Sequence, residues 1–353
     1  MNWGILLTTA KPDHQTEREV LKATVEYAQV AERLGYSSGW VLEHHFTRYG
    51  ICPDTIALAG YLLGQTETLN IGTAVTIAPL MHPIRLAEST ALLDQLSDGR
   101  FHLGLGRGSF PADFEVFKVD PTRTQDSMRQ GVDLMMKAWT EERVGAEGEE
   151  YSFAPVPVYP KPHTRPHPPV YVAGESPSTV EWAAQNGFPL LLQLGQQDEE
   201  TRSRVELYNQ YAELAGRDPD AVEHVLVCVG HVGATREEAK KEIFGLVKWW
   251  GEEGQRDGFG IEDLRQLPNY RYHLRRIEQA ALEGRDDAES WISDWLDNNP
   301  VGTAEQCAER LNEIIEASGA KHVVLAMEGS GDVEVTKKNM ERFATEVFPL
   351  VKA

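Results

Sequence analysis

The chain predicts a (β/α)8 barrel with insertions, built as a single domain over residues 1–353. Two observations carry that expectation. Eight apolar, strand-type runs recur along the chain, and each is followed by a helix-type segment with polar and apolar faces. The first run leads into "TTAKPDH", with no G-x-G-x-x-G turn, which argues against the open doubly wound sheet that is the structural alternative.

The first strand is read in "WGILLTT", Trp3–Thr9. A helix starting at Thr16 places Val20, Leu21, Thr24, Val25, Ala28, Ala31 and Leu34 at a period of about 3.6 residues. Thr16 and Glu19 form a capping box at its start, and Gly35 stops it. The second strand begins at Trp40, followed by a helix from about Pro53 to Gln65. "NIGTAVTIAP" (Asn70–Pro79) is the third strand, followed by a helix across Arg85–Leu96, and "RFHLGLGRG" (Arg100–Gly108) is the fourth. The later strands are Pro168–Ser176, Phe188–Gly195, His224–Val232 and His322–Glu328. Capping boxes are expected at Ser178/Glu181, Thr235/Glu238 and Thr303/Gln306.

Two stretches break the rhythm. Arg143–His167 is proline-rich and reads as a surface hairpin or extended loop. Gly251–Asn299 is a longer insertion with aromatics Tyr270, Tyr272, Trp291 and Trp295. It lies between the seventh and eighth strands, at the face where barrels carry their sites. Either a lid or a partner-binding decoration fits it.

The formal charge of −21 sets this surface against nucleic acid and anionic membranes. No apolar run is long enough to span a bilayer, and the N-terminus reads as a strand rather than a signal peptide. Cys52, Cys228 and Cys307 are widely spaced, which suits a reducing cytoplasm better than a disulfide framework or a structural zinc.

Chemistry concentrates at strand ends. "WVLEHHFTRYG" (Trp40–Gly50) closes an apolar run on Glu43, His44 and His45. Alternation sends His44 one way and Glu43 and His45 the other, so adjacent histidines diverge and no metal site is expected. A histidine working as a base near neutral pH and a plain structural pair both remain open. After the fourth strand, "GLGRGS" (Gly104–Ser109) offers Arg107 as a planar positive fork between glycines. "GESPSTVEW" (Gly174–Trp182) offers Ser176 and Thr179 at a helix start, where free N–H groups favour an anion. Together these residues suggest a phosphate-bearing ligand in an otherwise acidic protein.

These motifs resemble the bacterial luciferase-like flavin monooxygenases, and in particular their α-subunit (alkanal monooxygenase) branch. The resemblance rests on Val41–Thr47, Leu69–Arg85, Leu92–Gly108, Pro169–Pro189 and Asn299–Cys307, and it covers nearly the whole chain. It implies a TIM barrel, a homodimer, reduced FMN and O2 as co-substrates, and a separate flavin reductase. It also implies a flavin C4a-peroxide that oxygenates a small molecule. That substrate is a long-chain aldehyde taken to the acid with weak light, or a secondary metabolite that is hydroxylated or epoxidised. By motif it makes His44, His45 and Asp113 catalytic. Arg107, Glu175, Ser176, Thr179 and a cis Ala74-Val75 peptide would bind the flavin, and Gly251–Asn299 would be a mobile loop shielding it. Leu42, Phe46, Gly106, Phe110, Leu194 and Trp250 would line the substrate pocket. Gly106 and Leu194 replace a cysteine and a tryptophan of luciferase, which suggests room for a bulkier substrate. Two alternatives accompany the resemblance: an F420-dependent oxidoreductase of the same superfamily, and a non-catalytic, β-like flavin-binding subunit. The β type lacks the first histidine, the arginine and the phosphate motif, and this chain has all three.

Overall fold

The computed structural model describes residues 1–192, 198–258, 260–267, 270–271, 274–275, 278 and 288–352. The chain begins with strand β1 (Asn2–Leu7), helix α1 (Glu17–Arg33) and strand β2 (Ser38–Val41). Helix α2 (Thr55–Leu63) follows, then β3 (Asn70–Thr73), β4 (Thr76–Ile77), α3 (Pro83–Leu96) and β5 (Phe101–Gly106). Helices α4 (Pro111–Phe117) and α5 (Thr124–Thr140) precede an antiparallel hairpin of β6 (Val144–Glu147) and β7 (Ser152–Val156). Next come β8 (Val170–Ala173), α6 (Pro177–Asn186), β9 (Leu190–Leu192), α7 (Asp198–Leu214) and β10 (Val225–Val229). The chain closes with β11 (His231–Val232), α8 (Arg236–Asp257), α9 (Ile261–Gln266), α10 (Ala288–Asp297), β12 (Val301–Gly302), α11 (Ala304–Ser318), β13 (His322–Ala326) and α12 (Val333–Arg342).

Strands β3, β2, β1, β13, β10, β9, β8 and β5 pair in that order, all in parallel, and β3 pairs back onto β5. The sheet is therefore the closed eight-stranded barrel that the alternation predicts. Burial follows the two faces of each strand. Ile5, Leu7, Ile71, Leu103 and Val172 face outward into the layer under the helices, while Leu6, Trp40, Tyr171, Val227 and Val324 fill the barrel interior.

Local chemistry explains the boundaries. Thr16 and Glu19 bond reciprocally at the start of α1, and Thr303 with Gln306 does the same for α11. Thr235 caps α8 by accepting from the Glu238 N–H. The expected box at Ser178 is corrected. The cap of α6 is Ser176, because Pro177 occupies the first helical position, where its missing N–H and fixed φ suit a helix start. The expected third strand divides into β3 and β4 around Ala74-Val75, whose peptide is cis. Arg143–His167 holds the β6–β7 hairpin. Helix α8 runs unbroken to Asp257, so the first residues of the expected insertion Gly251–Asn299 belong to a barrel helix. Within that insertion, Tyr272 and Arg276 lie outside the described residues, as does Leu194 of the expected sixth strand.

Candidate active site

Three loops at the C-terminal ends of β2, β3 and β5 meet around "EHHF". The Glu43 N–H donates to the Val75 carbonyl at 3.3 Å, and the Ala74 N–H to Val41 at 2.7 Å, so the loop after β2 is sewn to the β3–β4 bend. Residues 43–45 lie beyond β2 itself, yet the divergence expected from strand alternation persists. Glu43 and His45 share one side, with His45 Nε2 at 3.3 Å from Glu43 Oε1. The other Glu43 oxygen accepts from the Thr55 hydroxyl at 3.2 Å and the Ile77 N–H at 3.3 Å. His44 turns the other way, edge-on to Tyr49 and to Phe110, with ring centroids 4.8 and 5.3 Å apart.

The electrostatics separate the two histidines. Burial, helped by nearby His45, pushes the His44 imidazole down to about 3, and neither of its buried ring nitrogens has a partner. His44 is therefore neutral near pH 7. Burial also opposes charge on His45, but the hydrogen bond and charge of Glu43, with Asp113 and Asp54 behind it, outweigh that and raise its pKa. Asp113, on α4, is fully buried with both carboxyl oxygens unpartnered. Burial pushes it up to about 6, with the His45 charge pulling the other way and Glu43 reinforcing the rise. His45 and Asp113, both with raised pKa, thus lie with Glu43 in a small cluster beside a neutral imidazole. Among the described residues, no three metal-ligating side chains converge.

A second cluster lies at the start of α6. Ser176 Oγ caps the helix and sits 2.9 Å from the Thr179 hydroxyl. Gln125 Nε2 donates to the hydroxyls of Ser178 and Thr179, at 2.9 and 3.2 Å. Arg129 donates to the Ser178 carbonyl at 2.7 Å and keeps a buried Nε without a partner. Arg107 stacks on the Tyr270 ring, its guanidinium carbon 4.0 Å from the centroid. Burial lowers the Arg107 pKa, Tyr270 and Glu175 counter it, and the charge of Arg129 adds to the lowering, which locates all four groups in one neighbourhood. Hydroxyls, two guanidinium groups and the free N–H groups of a helix start are the donor set that a phosphate monoester takes. Sequence reasoning named Arg107, Glu175, Ser176 and Thr179 as candidates; Gln125 and Arg129, which it did not name, arrive from the face of a different helix.

The expected pocket residues divide. Leu42, Ala74, Val75 and Trp250 pack against the barrel-interior core, and Phe110 walls His44. Trp250 also lines a small apolar cleft with Thr8, Val229, Leu246, Ala326 and Glu328. Glu328 is a further missed residue. Its carboxyl accepts from the Thr8 N–H at 2.8 Å, and burial pushes it up to about 7. The sequence signal was a carboxylate ending the strand run "HVVLAME", the same position that drew attention to Glu43. Phe46 does not join this cleft: it is 59% exposed, at φ 57°, against His45 and Phe117. Gly106 does not enlarge the pocket as expected, because a Cβ there would overlap the Val75 Cγ2. The side chain of Val75 fills the space that the glycine leaves.

The sequence model of the luciferase-like monooxygenases matches residues 1–322. The alkanal monooxygenase alpha chain of a Kryptophanaron alfredi symbiont is 32% identical over 352 residues, covering 100% of this chain and 99% of that one. The chain belongs to the luciferase-like monooxygenase family. It is accordingly an enzyme of the monooxygenase class, on a TIM barrel. The fold is shared with the oxygenating component of a Pseudomonas putida 3,6-diketocamphane monooxygenase solved with FMN, at TM-score 0.81 and 21% identity over 100% of this chain and 99% of that one. It is shared too with an F420-dependent secondary alcohol dehydrogenase, at TM-score 0.76 and 21% identity over 100% and 99%. Among the described residues, no helix is long and apolar enough to cross a membrane.

Proposed function

We propose that this luciferase-like monooxygenase uses reduced FMN and O2 to insert one oxygen atom into a small, largely apolar carbonyl compound. The observation that carries the reading is the phosphate-type donor set at the start of α6, opening on the same strand-end face as a buried, neutral histidine. The donor chemistry fits the phosphate of FMN. Arg107, Arg129, Ser176 and Thr179 would hold it, with Glu175 beside them and Ala74-Val75 against the ring system. Bound reduced FMN would supply the two electrons that activate O2.

The chain's own groups supply binding, dryness and proton handling. His44 offers a neutral ring with a free lone pair, able to take a proton at one nitrogen. Its walls, Tyr49 and Phe110, exclude water from that pair. His45 and Asp113, both with raised pKa, favour a proton at the edge of the same space. Glu328, beside the small apolar cleft at Trp250 and partly protonated near neutral pH, could donate to the carbonyl oxygen of the substrate. That donor needs no metal. The name of the alkanal monooxygenase relatives supports an aldehyde as the carbonyl.

The working unit is proposed as a cytoplasmic homodimer supplied by a separate flavin reductase. Tyr61 on α2 and Leu92 and Leu96 on the adjoining α3 are exposed apolar side chains on which a second copy would pack.

The test is product analysis with the isolated chain, chemically reduced FMN, O2 and a panel of aldehydes and ketones. Reduced F420 under anaerobic conditions forms the comparison arm. An oxygenated product carrying ¹⁸O from ¹⁸O2 supports the reading. Turnover with F420 and no O2, or no product from any carbonyl compound, overturns it.

A further inference from the structure

His44 is oriented without a single hydrogen bond to its ring, so whatever fixes its walls fixes its direction. Tyr49 is one of those walls. Gly50 is another: a Cβ there would stand 2.8 Å from His44 Cδ2, so the ring seats only against a glycine. The three loop residues that precede Gly50 are each tied to one stripe of α8. Thr47 donates to Asp257 at 2.6 Å. Arg48 is held by Asp13 on one side and donates to Glu253 at 2.9 Å on the other. Tyr49 stacks on Trp250 with centroids 5.0 Å apart and 21° between planes, and its carbonyl accepts from Trp250 Nε1 at 3.0 Å.

Positions 250, 253 and 257 are spaced i, i+3, i+7, so they lie on one helix face. Loop residues 49, 48 and 47 meet them in order, running antiparallel to the helix like rungs. Between the rungs, Gly254 lets the Tyr49 ring lie against the helix, since a Cβ there would approach Tyr49 Cε2 to 3.0 Å. The central rung is the most enclosed. Glu253 is 4% exposed, and Arg256 bonds both of its oxygens as Arg48 bonds one. A carboxylate that deep is retained only when its charge is met, and a change there leaves two guanidinium groups without it.

We propose that this face of α8 sets the direction of the His44 imidazole, with Glu253 as the positioning residue at its centre. The described hydrogen bonds of the Glu253 side chain go to Arg48 and Arg256, not to the flavin-phosphate donors. Glu253 acts through Arg48 on the loop, then through Tyr49 on His44. The inference rests on the assignment of His44 in the proposed function. It also gives the start of the 251–299 segment a defined role, because the last turns of α8 support the catalytic loop.

Glu253→Gln, Gly254→Ala and Thr47→Val are made in the full chain, beside Thr47→Ser, which keeps the hydroxyl rung. The measurements are kcat, KM, reduced-FMN affinity by anaerobic titration, and the thermal midpoint. Misplacing a catalytic group by about 1 Å costs up to about 10²-fold, so Glu253→Gln is expected to cut kcat by at least about tenfold. KM and flavin affinity should stay within about twofold, because the substituted groups contact neither ligand. Thr47→Val should fall in kcat alone, Thr47→Ser should restore it, and Gly254→Ala should follow Thr47→Val. If Glu253→Gln destabilises the fold too far to assay, the Thr47 pair and Gly254→Ala decide the question. The inference is overturned if those variants keep full kcat, or if kcat, KM and flavin affinity decline together with the thermal midpoint. His44→Ala is run alongside. If it retains full turnover, the assignment of His44 itself falls. If His44→Ala is inactive while the α8 variants are at full rate, only the positioning role falls.

Discussion

The Arg107 guanidinium carbon lies over the Tyr270 ring, 4.0 Å from its centroid, and the Tyr270 hydroxyl donates to the Gly108 carbonyl at 2.8 Å. A residue of the long segment after α8 thus covers the cation at the end of β5 and pins the backbone beside it. Arg107→Ala should weaken FMN binding by about 1.5–3 kcal/mol, roughly ten- to hundredfold, the usual cost of a charge-assisted hydrogen bond. Riboflavin, which lacks the phosphate, should lose little. Fluorescence titrations of both ligands against both proteins check this, and an equal loss for the two would mean that Arg107 does not meet the phosphate. Tyr270→Ala should produce a smaller loss in the same direction.

His44 carries the strongest chemical assignment and the clearest pH signature. His44→Ala should abolish oxygenation while FMN affinity survives, since the phosphate donors are elsewhere. Because burial holds the His44 pKa at about 3, the wild-type rate should show no acid limb near pH 6.5 arising from this residue. A limb near pH 6 should instead follow Asp113, and Asp113→Asn should remove it. Rate profiles of the wild type and Asp113→Asn from pH 5 to 9 test the limb, and product yield from His44→Ala tests the histidine.

What could be read in the sequence follows range of interaction. Strand and helix periods, the Thr16 and Thr303 caps, and glycines flanking Arg107 are local patterns, and the barrel follows from them. "EHHF" was legible as a site because three titratable groups rarely close an apolar run. Gln125 and Arg129 gave no local signal: they sit on an ordinary amphipathic helix and meet Ser178 only across 53 and 49 residues of chain. The same holds for Glu253, which reads as one charge among many until the fold brings Arg48 to it from 205 residues away. Ser176 displaced the expected cap Ser178 for a local reason, Pro177, that was present in the sequence. Gly106 misled in the opposite sense. A smaller residue suggested space, but packing against Val75 had already filled it.

Acid should destabilise the protein through its buried histidines. His102 and His322 line the barrel interior with Trp40 and Tyr171, and burial pushes both down to about 4. The unfolded chain takes up these protons near pH 6.5, so between about 6.5 and 4 it binds more protons than the folded one, and stability falls as pH falls. Asp113 and Glu328, raised to about 6 and 7, act oppositely over that range, but His44 and His224 join the first group and outnumber them. The thermal midpoint should therefore drop between pH 6.5 and 4, and less steeply in His102→Gln. An unchanged slope in that variant would show that His102 is not held neutral by the fold.

Leu96 is 75% exposed on α3, one helical turn beyond Leu92 at 48%, and Tyr61 on the adjoining α2 is 51% exposed. Singly exposed apolar side chains are ordinary; three on two adjoining helices are the apolar surface on which the dimer proposal rests. Leu96→Glu should convert the proposed dimer to monomer in sedimentation velocity without unfolding it, since the side chain contributes little to the protomer's own core. A wild-type chain that sediments as a monomer at micromolar concentration would remove the basis for this face as a contact between copies.

Gly106 and Val75 should behave as one unit. A methyl group at 106 would overlap the Val75 Cγ2, and Val75 belongs to the β3–β4 bend that also receives the Glu43 N–H. Gly106→Ala should destabilise the fold by about 1–3 kcal/mol, the range for inserting a methyl group into a filled site. Part of the loss should appear as weaker flavin binding, because the displaced atoms are those proposed to lie against the ring system. Val75→Ala removes the opposing methyl groups, so the double variant should recover most of both losses. A thermodynamic cycle on chemical denaturation measures the coupling, and contacting pairs of this kind give interaction energies of about 0.5–3 kcal/mol. Additive effects of the two substitutions would mean that the glycine serves some other purpose, such as close approach of a ligand to the β5 backbone. In that case Gly106→Ala would weaken flavin binding as strongly in the Val75→Ala background as in the wild type.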